Sequence, residues 1–127
     1  MASILVIDDE PDYCVVVRRF LETRGHQVSS ASHAEEIRTA LAGDQPDVVL
    51  MDVRMPEVSG LELLPRIKAQ MPGTPVLVIT ALDDYSIADL LYEAGADGFL
   101  TKPIRFEELS GNIDRLLAHN PAQGGMR

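Results

Sequence analysis

The sequence predicts an α/β fold, a doubly wound sheet of five parallel strands with helices on both faces. Two patterns predict it. Five short apolar runs are each followed by an amphipathic stretch, so strands and helices alternate along the chain. Nearly every residue of the runs is apolar, which is typical of strands covered on both sides. Because parallel connections are right-handed and each helix covers one face, strict alternation favours helices on both sides of the sheet.

The strands are predicted where the apolar runs lie. They cover residues 4–7, 27–31, 48–51, 76–80 and 98–100, of which the second run is weaker and the fourth is the clearest. In open sheets of this kind, ligands bind beyond the carboxyl ends of the strands. The residues that follow each run are therefore the first candidates for chemistry.

The helices are predicted from their caps and their apolar faces. The first covers residues 13–24 and the last 106–118, capping boxes at 32–35 and 59–62 open the second and third, and Asp83 or Asp84 caps the fourth. Pro65 lies beyond the first position of the third helix and should bend its opening turn. The side chains expected to face inward are Val17, Phe20, Leu21, Ala34, Ile37, Leu41, Ile87, Leu90, Leu91, Ala94, Leu109, Ile113, Leu116 and Leu117.

Length and charge restrict the possible functions. The chain has 127 residues, with 20 acidic against 11 basic side chains and a net charge of −9. This length indicates one domain, predicted over residues 1–119, with 120–127 as a tail or linker stub. The acidic balance disfavours binding of nucleic acid or an anionic membrane by this domain, because phosphate polymers repel it. We expect a cytoplasmic protein, because the sequence has neither a signal peptide nor an apolar run approaching ~18 residues.

Polar side chains follow four of the predicted strands. Asp8 and Asp9 follow the first strand and Asp52 follows the third, so a switch point between those strands would bring three acids together. Clustered carboxylates repel one another unless a cation neutralises them, and oxygen ligands without His or Cys favour Mg²⁺. The residues at the ends of the fourth and fifth strands are Thr80, Ala81, Thr101, Lys102 and Pro103. Together these groups favour a phosphoryl group carried on an aspartate.

The same positions carry a resemblance to a known family. The motifs are Ile7-Asp8-Asp9-Glu10, Met51-Asp52-Val53-Arg54-Met55-Pro56 with Ser59-Gly60, Ile79-Thr80-Ala81, Gly95-Ala96-Asp97-Gly98-Phe99 and Thr101-Lys102-Pro103. In this order they resemble the receiver domain of two-component response regulators over residues 3–118. The stretch from 52 to 64 looks closest to receivers of enhancer-binding transcription factors. The resemblance implies a flavodoxin-like fold with strand order 2-1-3-4-5.

The resemblance also implies roles for individual residues. Asp52 resembles the phospho-acceptor, and Asp9, with Asp8, resembles the pair that holds Mg²⁺ together with Asp52 and the backbone carbonyl of Arg54. Lys102 resembles the lysine that contacts the phosphoryl group, and Lys102-Pro103 resembles a cis peptide beside it. Thr80 and Phe99 resemble a switch pair that reports phosphorylation to the distal face. Arg54 and Leu82 occupy positions that border the path of the water that hydrolyses the acyl phosphate.

The implied partners are a sensor histidine kinase or a histidine phosphotransfer protein, and a downstream effector or an attached output domain. The implied activity is acceptance of a phosphoryl group, which the domain assists, rather than enzymatic turnover. Three alternatives remain at this level. One is an interaction module that works without phosphorylation. A second, an aspartyl-phosphate phosphatase, would need an acid where Arg54 stands, and a third, a flavin carrier, would need a glycine-rich phosphate cradle after the first strand.

Overall fold

The computed structural model describes residues 2–55, 59–81 and 87–119. Strand and helix alternate throughout, as predicted. The elements are β1 (Ser3–Ile7), α1 (Pro11–Thr23), β2 (Gln27–Ala31), α2 (Ala34–Ala42), β3 (Val48–Asp52), α3 (Gly60–Gln70), β4 (Val76–Thr80), α4 (Ala88–Glu93), β5 (Gly98–Thr101) and α5 (Phe106–His119). No helix in these ranges is both long enough and apolar enough to span a membrane.

The five strands form one parallel sheet in the order β2-β1-β3-β4-β5, which confirms the predicted topology. β2 lies on one side of β1, and β3, β4 and β5 follow one another on the other side. The direction in which strands are added reverses after β2, so the switch point lies between β1 and β3. In the register of this pair Ile7 lies opposite Met51, and in the next pair Asp52 lies opposite Ile79. The residues that follow β1 and β3 therefore emerge side by side at the same edge.

Two hydrophobic layers cover the sheet, one on each face. Alternation along β1 divides its residues between them, because Leu5 and Ile7 face one layer and Ile4 and Val6 face the other. The first layer contains α2, α3 and α4, through Ile37, Leu41, Leu63, Leu64, Ile67 and Leu91. The second contains α1 and α5, through Cys14, Val17, Leu21, Leu109, Ile113 and Leu116. The prediction of helices on both faces is confirmed.

The helix starts differ in detail from the predicted capping boxes. α2 begins one residue later than the box at 32–35 implies, with His33 as its N-cap. The acid that reaches back is Glu36, whose Oε1 accepts a hydrogen bond from the Ser32 backbone N–H at 2.7 Å. Ser59 is the N-cap of α3, as predicted, but its side chain makes no capping hydrogen bond. Pro65 lies inside α3, and the bend expected there stays a prediction.

Two side chains predicted to face inward are exposed. Leu90 is 51% exposed, whereas the adjacent Leu91 is fully buried and faces the core, so α4 is turned with Leu90 toward its outer side. Ala34 is the first residue of α2 and is exposed at the helix end, whereas Ile37 and Leu41 are buried as expected. The proposed caps of the fourth helix, Asp83 and Asp84, lie outside the described residues, and the helix described there covers only Ala88–Glu93.

Candidate functional site

The site lies at the carboxyl edge of the sheet, where β1, β3, β4 and β5 end. Asp8, Asp52 and Thr80 have relative exposures of 2%, 5% and 0%, although all three are polar. Buried carboxylates require compensating partners, because an isolated ionised group is poorly solvated in the protein interior. The compensating group comes from the residue after β5.

That group is the ammonium of Lys102, which contacts three carboxylates. Its Nζ lies 2.9 Å from Asp52 Oδ2, 3.1 Å from Glu10 Oε1 and 3.4 Å from Asp8 Oδ2. Lys102, which follows β5, therefore brings together side chains from the loop after β1 and from the end of β3. The arrangement neutralises part of the negative charge and leaves the acids in excess, with three carboxylates against one ammonium.

Backbone N–H groups fix the two buried carboxylates. The Glu10 N–H donates to Asp8 Oδ1 and the Arg54 N–H donates to Asp52 Oδ1, each at 3.0 Å. Each bond runs from the residue two positions later, a local turn that Asp forms readily. In both side chains this leaves Oδ2 directed to Lys102. The two carboxylates are therefore oriented by the backbone on one side and by Lys102 on the other.

The loop after Asp52 is fixed by a close approach at Gly60. The Gly60 N–H donates to the Val53 carbonyl at 3.2 Å, and Arg54 pairs with Ser59 in an antiparallel bridge. A Cβ at position 60 would lie 2.7 Å from the Val53 Cα, which real structures do not tolerate. Glycine is therefore required here for the loop that carries the Arg54 backbone beside Asp52.

Burial and neighbouring charges shift the pKa values of Asp8 and Lys102. Burial raises the pKa of Asp8 to about 6, and the nearby Asp52 carboxylate adds to this, while the Glu10 N–H and Lys102 oppose it. For Lys102, burial acts to lower the pKa, but the hydrogen bonds to Asp52 and Glu10 outweigh it, and the net pKa is raised. The ammonium is thus charged at all ordinary pH values, whereas Asp8 titrates close to neutrality.

The ends of β4 and β5 are joined beside the acids. The Lys102 backbone N–H donates to the Thr80 carbonyl at 2.7 Å, and the Lys102-Pro103 peptide is cis, as the resemblance implied. Phe99 is half-buried on β5, and its ring centroid lies 6.3 Å from that of Tyr92 on α4. Phe99 thus packs on the α4 side of the sheet, opposite Val78 of β4.

A cavity of about 240 Å³ opens above the acids, and five of the predicted site residues line it together with Glu10: Asp9, Asp52, Arg54, Ala81 and Lys102. Asp9 is half-exposed and Arg54 is exposed. Leu82 lies outside the described residues, so its predicted position beside the path of water stays a prediction. Pro103 is exposed, next to the lining residue Lys102.

Two residues of the site were missed in the sequence. Glu10 contacts Lys102 and, with Asp8 and Asp52, forms a group whose ligand oxygens all lie within 4.8 Å of one another. Tyr13 places its ring 4.4 Å from Lys102 Nζ. Glu10 could have been identified because it continues the Asp8-Asp9 run, whereas nothing in the sequence around Tyr13 distinguishes it from a core residue of α1.

The donor set suits a hard divalent cation. The compact group of Asp8, Glu10 and Asp52 offers only carboxylate oxygens, with no His or Cys among them. The pKa of Asp8 is raised, chiefly by burial and further by the neighbouring Asp52 carboxylate, and a cation would act against both effects. Asp9 lines the same cavity and is available at its open side. The residues present therefore fit Mg²⁺.

The comparison with protein families agrees with this geometry. The family model of the response regulator receiver domain matches residues 4–114. The chain belongs to this family. The residues matched include the acids after β1, Asp52 and Lys102, so the receiver-domain resemblance and its implied strand order are confirmed.

Relatives of this receiver domain include an enhancer-binding type regulator, as the 52–64 stretch suggested. The chain is 37% identical over 117 residues to the DNA-binding transcriptional regulator NtrC of Proteus hauseri, covering 92% of this chain and 25% of that protein. It is 36% identical over 122 residues to the response regulator MprA of Mycolicibacterium vanbaalenii, covering 96% of this chain and 53% of that protein. The receiver domain thus spans about a quarter to a half of these relatives.

A solved structure has the same architecture. The CheY-like response regulator receiver domain protein of Methanospirillum hungatei superposes with a TM-score of 0.90 at 25% identity, covering 98% of this chain and 99% of that one. The flavodoxin-like arrangement of the receiver domain is therefore that of its family.

Proposed function

We propose that this receiver domain accepts a phosphoryl group on Asp52 from the phosphohistidine of a sensor kinase or a histidine phosphotransfer protein, in a Mg²⁺-dependent reaction. One observation carries the proposal. The Asp52 carboxylate is almost completely buried, yet it borders an open acidic cavity and lies 2.9 Å from the Lys102 ammonium. A purely structural carboxylate would not need an open approach of this kind.

In the proposed reaction a carboxylate oxygen of Asp52 forms the new P–O bond while the P–N bond to the donor imidazole breaks. The electron pair of that bond leaves with the ring nitrogen, so the imidazole departs neutral and the acyl phosphate remains on Asp52. The Arg54 N–H and Lys102 hold the carboxylate in place before the donor arrives. Alignment and charge neutralisation supply most of the catalysis in phosphoryl transfer.

Mg²⁺ is proposed to bind through Asp9 and Asp52, with Asp8 and the backbone carbonyl of Arg54 completing the protein side of the site. When bound, the metal would neutralise the acids and polarise the phosphoryl oxygens. Glu10 belongs to the same carboxylate group and supplies further negative charge at the cavity mouth. The Lys102 ammonium, released from part of this group, is then available to contact a phosphoryl oxygen.

The signalling step is proposed to involve Thr80 and Phe99. Thr80 is fully buried at the end of β4 and Phe99 is half-buried on the neighbouring strand. Movement of the Thr80 hydroxyl toward the phosphoryl group would free space beside β5. The equilibrium between outward and inward positions of the Phe99 ring would then shift toward the inward position. The proposed recipient of the signal is a downstream effector or an attached output domain, with residues 1–119 as the receiver domain and 120–127 as a tail or a linker stub.

The experiment is labelling with a small phosphodonor such as acetyl phosphate. Wild-type protein with millimolar Mg²⁺ should gain one phosphoryl group by intact mass, and Asp52→Asn should gain none. Asp114→Asn, which removes an exposed acid on α5, is the matched control and should label as wild type. Excess chelator should stop labelling. Equal labelling of wild type and Asp52→Asn would exclude Asp52, and an unlabelled wild type would favour the interaction module that works without phosphorylation.

A further inference from the structure

Tyr13 contacts the key lysine of the site with its aromatic ring. It lies in the first turn of α1, and its ring centroid is 4.4 Å from Lys102 Nζ. This distance is within the range in which an aromatic face attracts an ammonium. Lys102 is therefore held between three carboxylates and one aromatic ring.

The geometry points to Tyr13 as a positioning residue that keeps the Lys102 ammonium beside Asp52 when the carboxylates are occupied by other ligands. The inference rests on the proposed phosphoryl transfer to Asp52. Lys102 has three contacts to acids, at 2.9, 3.1 and 3.4 Å, and a divalent cation competes for the same oxygens. The ring is not a ligand for such a cation, so its contact with Lys102 persists.

The need for such a contact follows from the chemistry of lysine. The side chain has a flexible stem of four carbons, so an ammonium without a fixed partner samples many positions. In the absence of the ring, each carboxylate lost to the metal would release Lys102 further from the acceptor. With the ring in place, the ammonium keeps its contact with Tyr13 and samples fewer positions, so it has to move less to contact a phosphoryl oxygen.

The electronic state of Tyr13 suits this role. Burial raises the pKa of its phenol to about 12, so the ring is neutral at ordinary pH and its contact with Lys102 is not an ion pair. The backbone of Ile104 acts on the hydroxyl in the opposite direction, but burial outweighs it.

The ring and the hydroxyl can be separated by substitution. Tyr13→Phe keeps the aromatic face and removes the hydroxyl, whereas Tyr13→Leu removes the face and keeps an apolar side chain. The matched control is Phe20→Leu. Phe20 lies on the same helix, but its ring stacks on that of Phe106, with centroids 4.5 Å apart, and not on Lys102. Thermal unfolding of all variants shows which of them are folded.

The first measurement is the rate of labelling by acetyl phosphate at saturating Mg²⁺. Tyr13→Leu should label about three- to tenfold more slowly, the range that a contact of this type contributes. Tyr13→Phe and Phe20→Leu should label within about twofold of wild type. If wild type labels and Tyr13→Leu labels equally fast, the positioning role is excluded. If wild type does not label at all, the proposed function fails instead.

The second measurement does not depend on activity. The ε-methylene protons of Lys102 should show an upfield ring-current shift in the NMR spectrum of the metal-free protein. The shift should remain when Mg²⁺ is added and in Tyr13→Phe, and should vanish in Tyr13→Leu. A shift that disappears on addition of Mg²⁺ to the wild-type protein would overturn the inference even if every leucine variant failed to fold.

Discussion

The buried Asp8 carboxylate lies 3.4 Å from the Lys102 ammonium, and its pKa is nevertheless raised to about 6. The largest cause is burial, and the adjacent Asp52 carboxylate acts in the same direction. One ammonium shared among three acids does not compensate for these two effects. The ionised Asp8 carboxylate is therefore under electrostatic strain at the point where the proposed chemistry takes place.

This strain predicts a pH dependence of stability. Asp8 binds a proton more tightly in the folded than in the unfolded state, so its contribution to the free energy of unfolding is fully present below a pH of about 4. That contribution is lost as the pH rises through about 6. In chelator, Asp8→Asn should therefore be more stable than wild type at about pH 7.5 by on the order of 2–3 kcal/mol, and the difference should shrink toward about pH 4.5.

Urea unfolding of both proteins at the two pH values measures this difference. Asp114→Asn, an exposed acid on α5, is the control and should show little change with pH relative to wild type. A constant difference between Asp8→Asn and wild type at both pH values would mean that Asp8 is ionised at neutral pH without cost. It would contradict the raised pKa.

Metal binding should relieve the same strain. Mg²⁺ stabilises the folded state by mass action, so the melting temperature of wild type should rise steadily with Mg²⁺ concentration at neutral pH. In Asp52→Asn the rise should be much smaller, because a proposed ligand is lost. Na⁺ at equal ionic strength is the control for screening. The same rise in both proteins would show that Mg²⁺ acts elsewhere on this acidic chain.

The roles of Asp9 and Glu10 can be distinguished by their charge-neutral variants. We expect Asp9→Asn to weaken Mg²⁺ binding by about tenfold or more, because it removes a proposed ligand. Glu10 has a side chain that is 62% exposed, and its contact with Lys102 is screened by water, so Glu10→Gln should change affinity by less than about threefold. Titration calorimetry or tyrosine fluorescence measures both. The reverse order would place Glu10, rather than Asp9, among the ligands.

These expectations also show what the sequence could and could not predict. Asp8, Asp52 and Lys102 were predicted to converge because parallel strands end at one edge of a sheet, whatever the details of packing. The contact of Glu10 with Lys102 joins residues 92 positions apart and depends on where two flexible side chains come to rest. No periodicity or spacing encodes such a contact.

The same distinction applies to the fold. The strands and the buried faces of α1 and α5 follow from local patterns, and the structure confirms them. Leu90 was predicted to face inward together with Ile87, Leu91 and Ala94, but of the neighbours Leu90 and Leu91 only Leu91 faces the core from this six-residue helix. Which one does so depends on how the helix is rotated against α3, and this is a property of tertiary packing.

The tight approach at Gly60 gives a prediction on stability. Gly60→Ala would place a Cβ 2.7 Å from the Val53 backbone, so the loop after Asp52 must move, and we expect a loss of about 1–3 kcal/mol. Gly111, inside α5, has no atom within 4 Å of the position of a Cβ, so Gly111→Ala should instead gain about 0.5–1 kcal/mol. Urea unfolding compares the two. Equal effects would show that position 60 has room to relax.

The lifetime of the phosphorylated state depends on access of water to the acyl phosphate. Arg54 lies at the cavity, with its side chain exposed, and Leu82 is the corresponding large residue after Thr80 in sequence. A large apolar side chain excludes water, and an arginine can pair with a phosphoryl oxygen. We therefore expect Arg54→Ala and Leu82→Ala, singly and together, to shorten the half-life a few-fold. Each side chain should contribute less than the ~1.4 kcal/mol that corresponds to a factor of ten.

The half-life is measured as loss of label from purified phosphoprotein without a kinase. Arg105→Ala is the control for removal of an exposed arginine, because Arg105 lies three residues after Lys102 and outside the cavity lining. Since the two side chains act by different means, one steric and one electrostatic, added salt should shorten the wild-type lifetime only as far as Arg54→Ala does. A double variant with the wild-type half-life would mean that the attacking water reaches the phosphoryl group by a path that neither side chain borders.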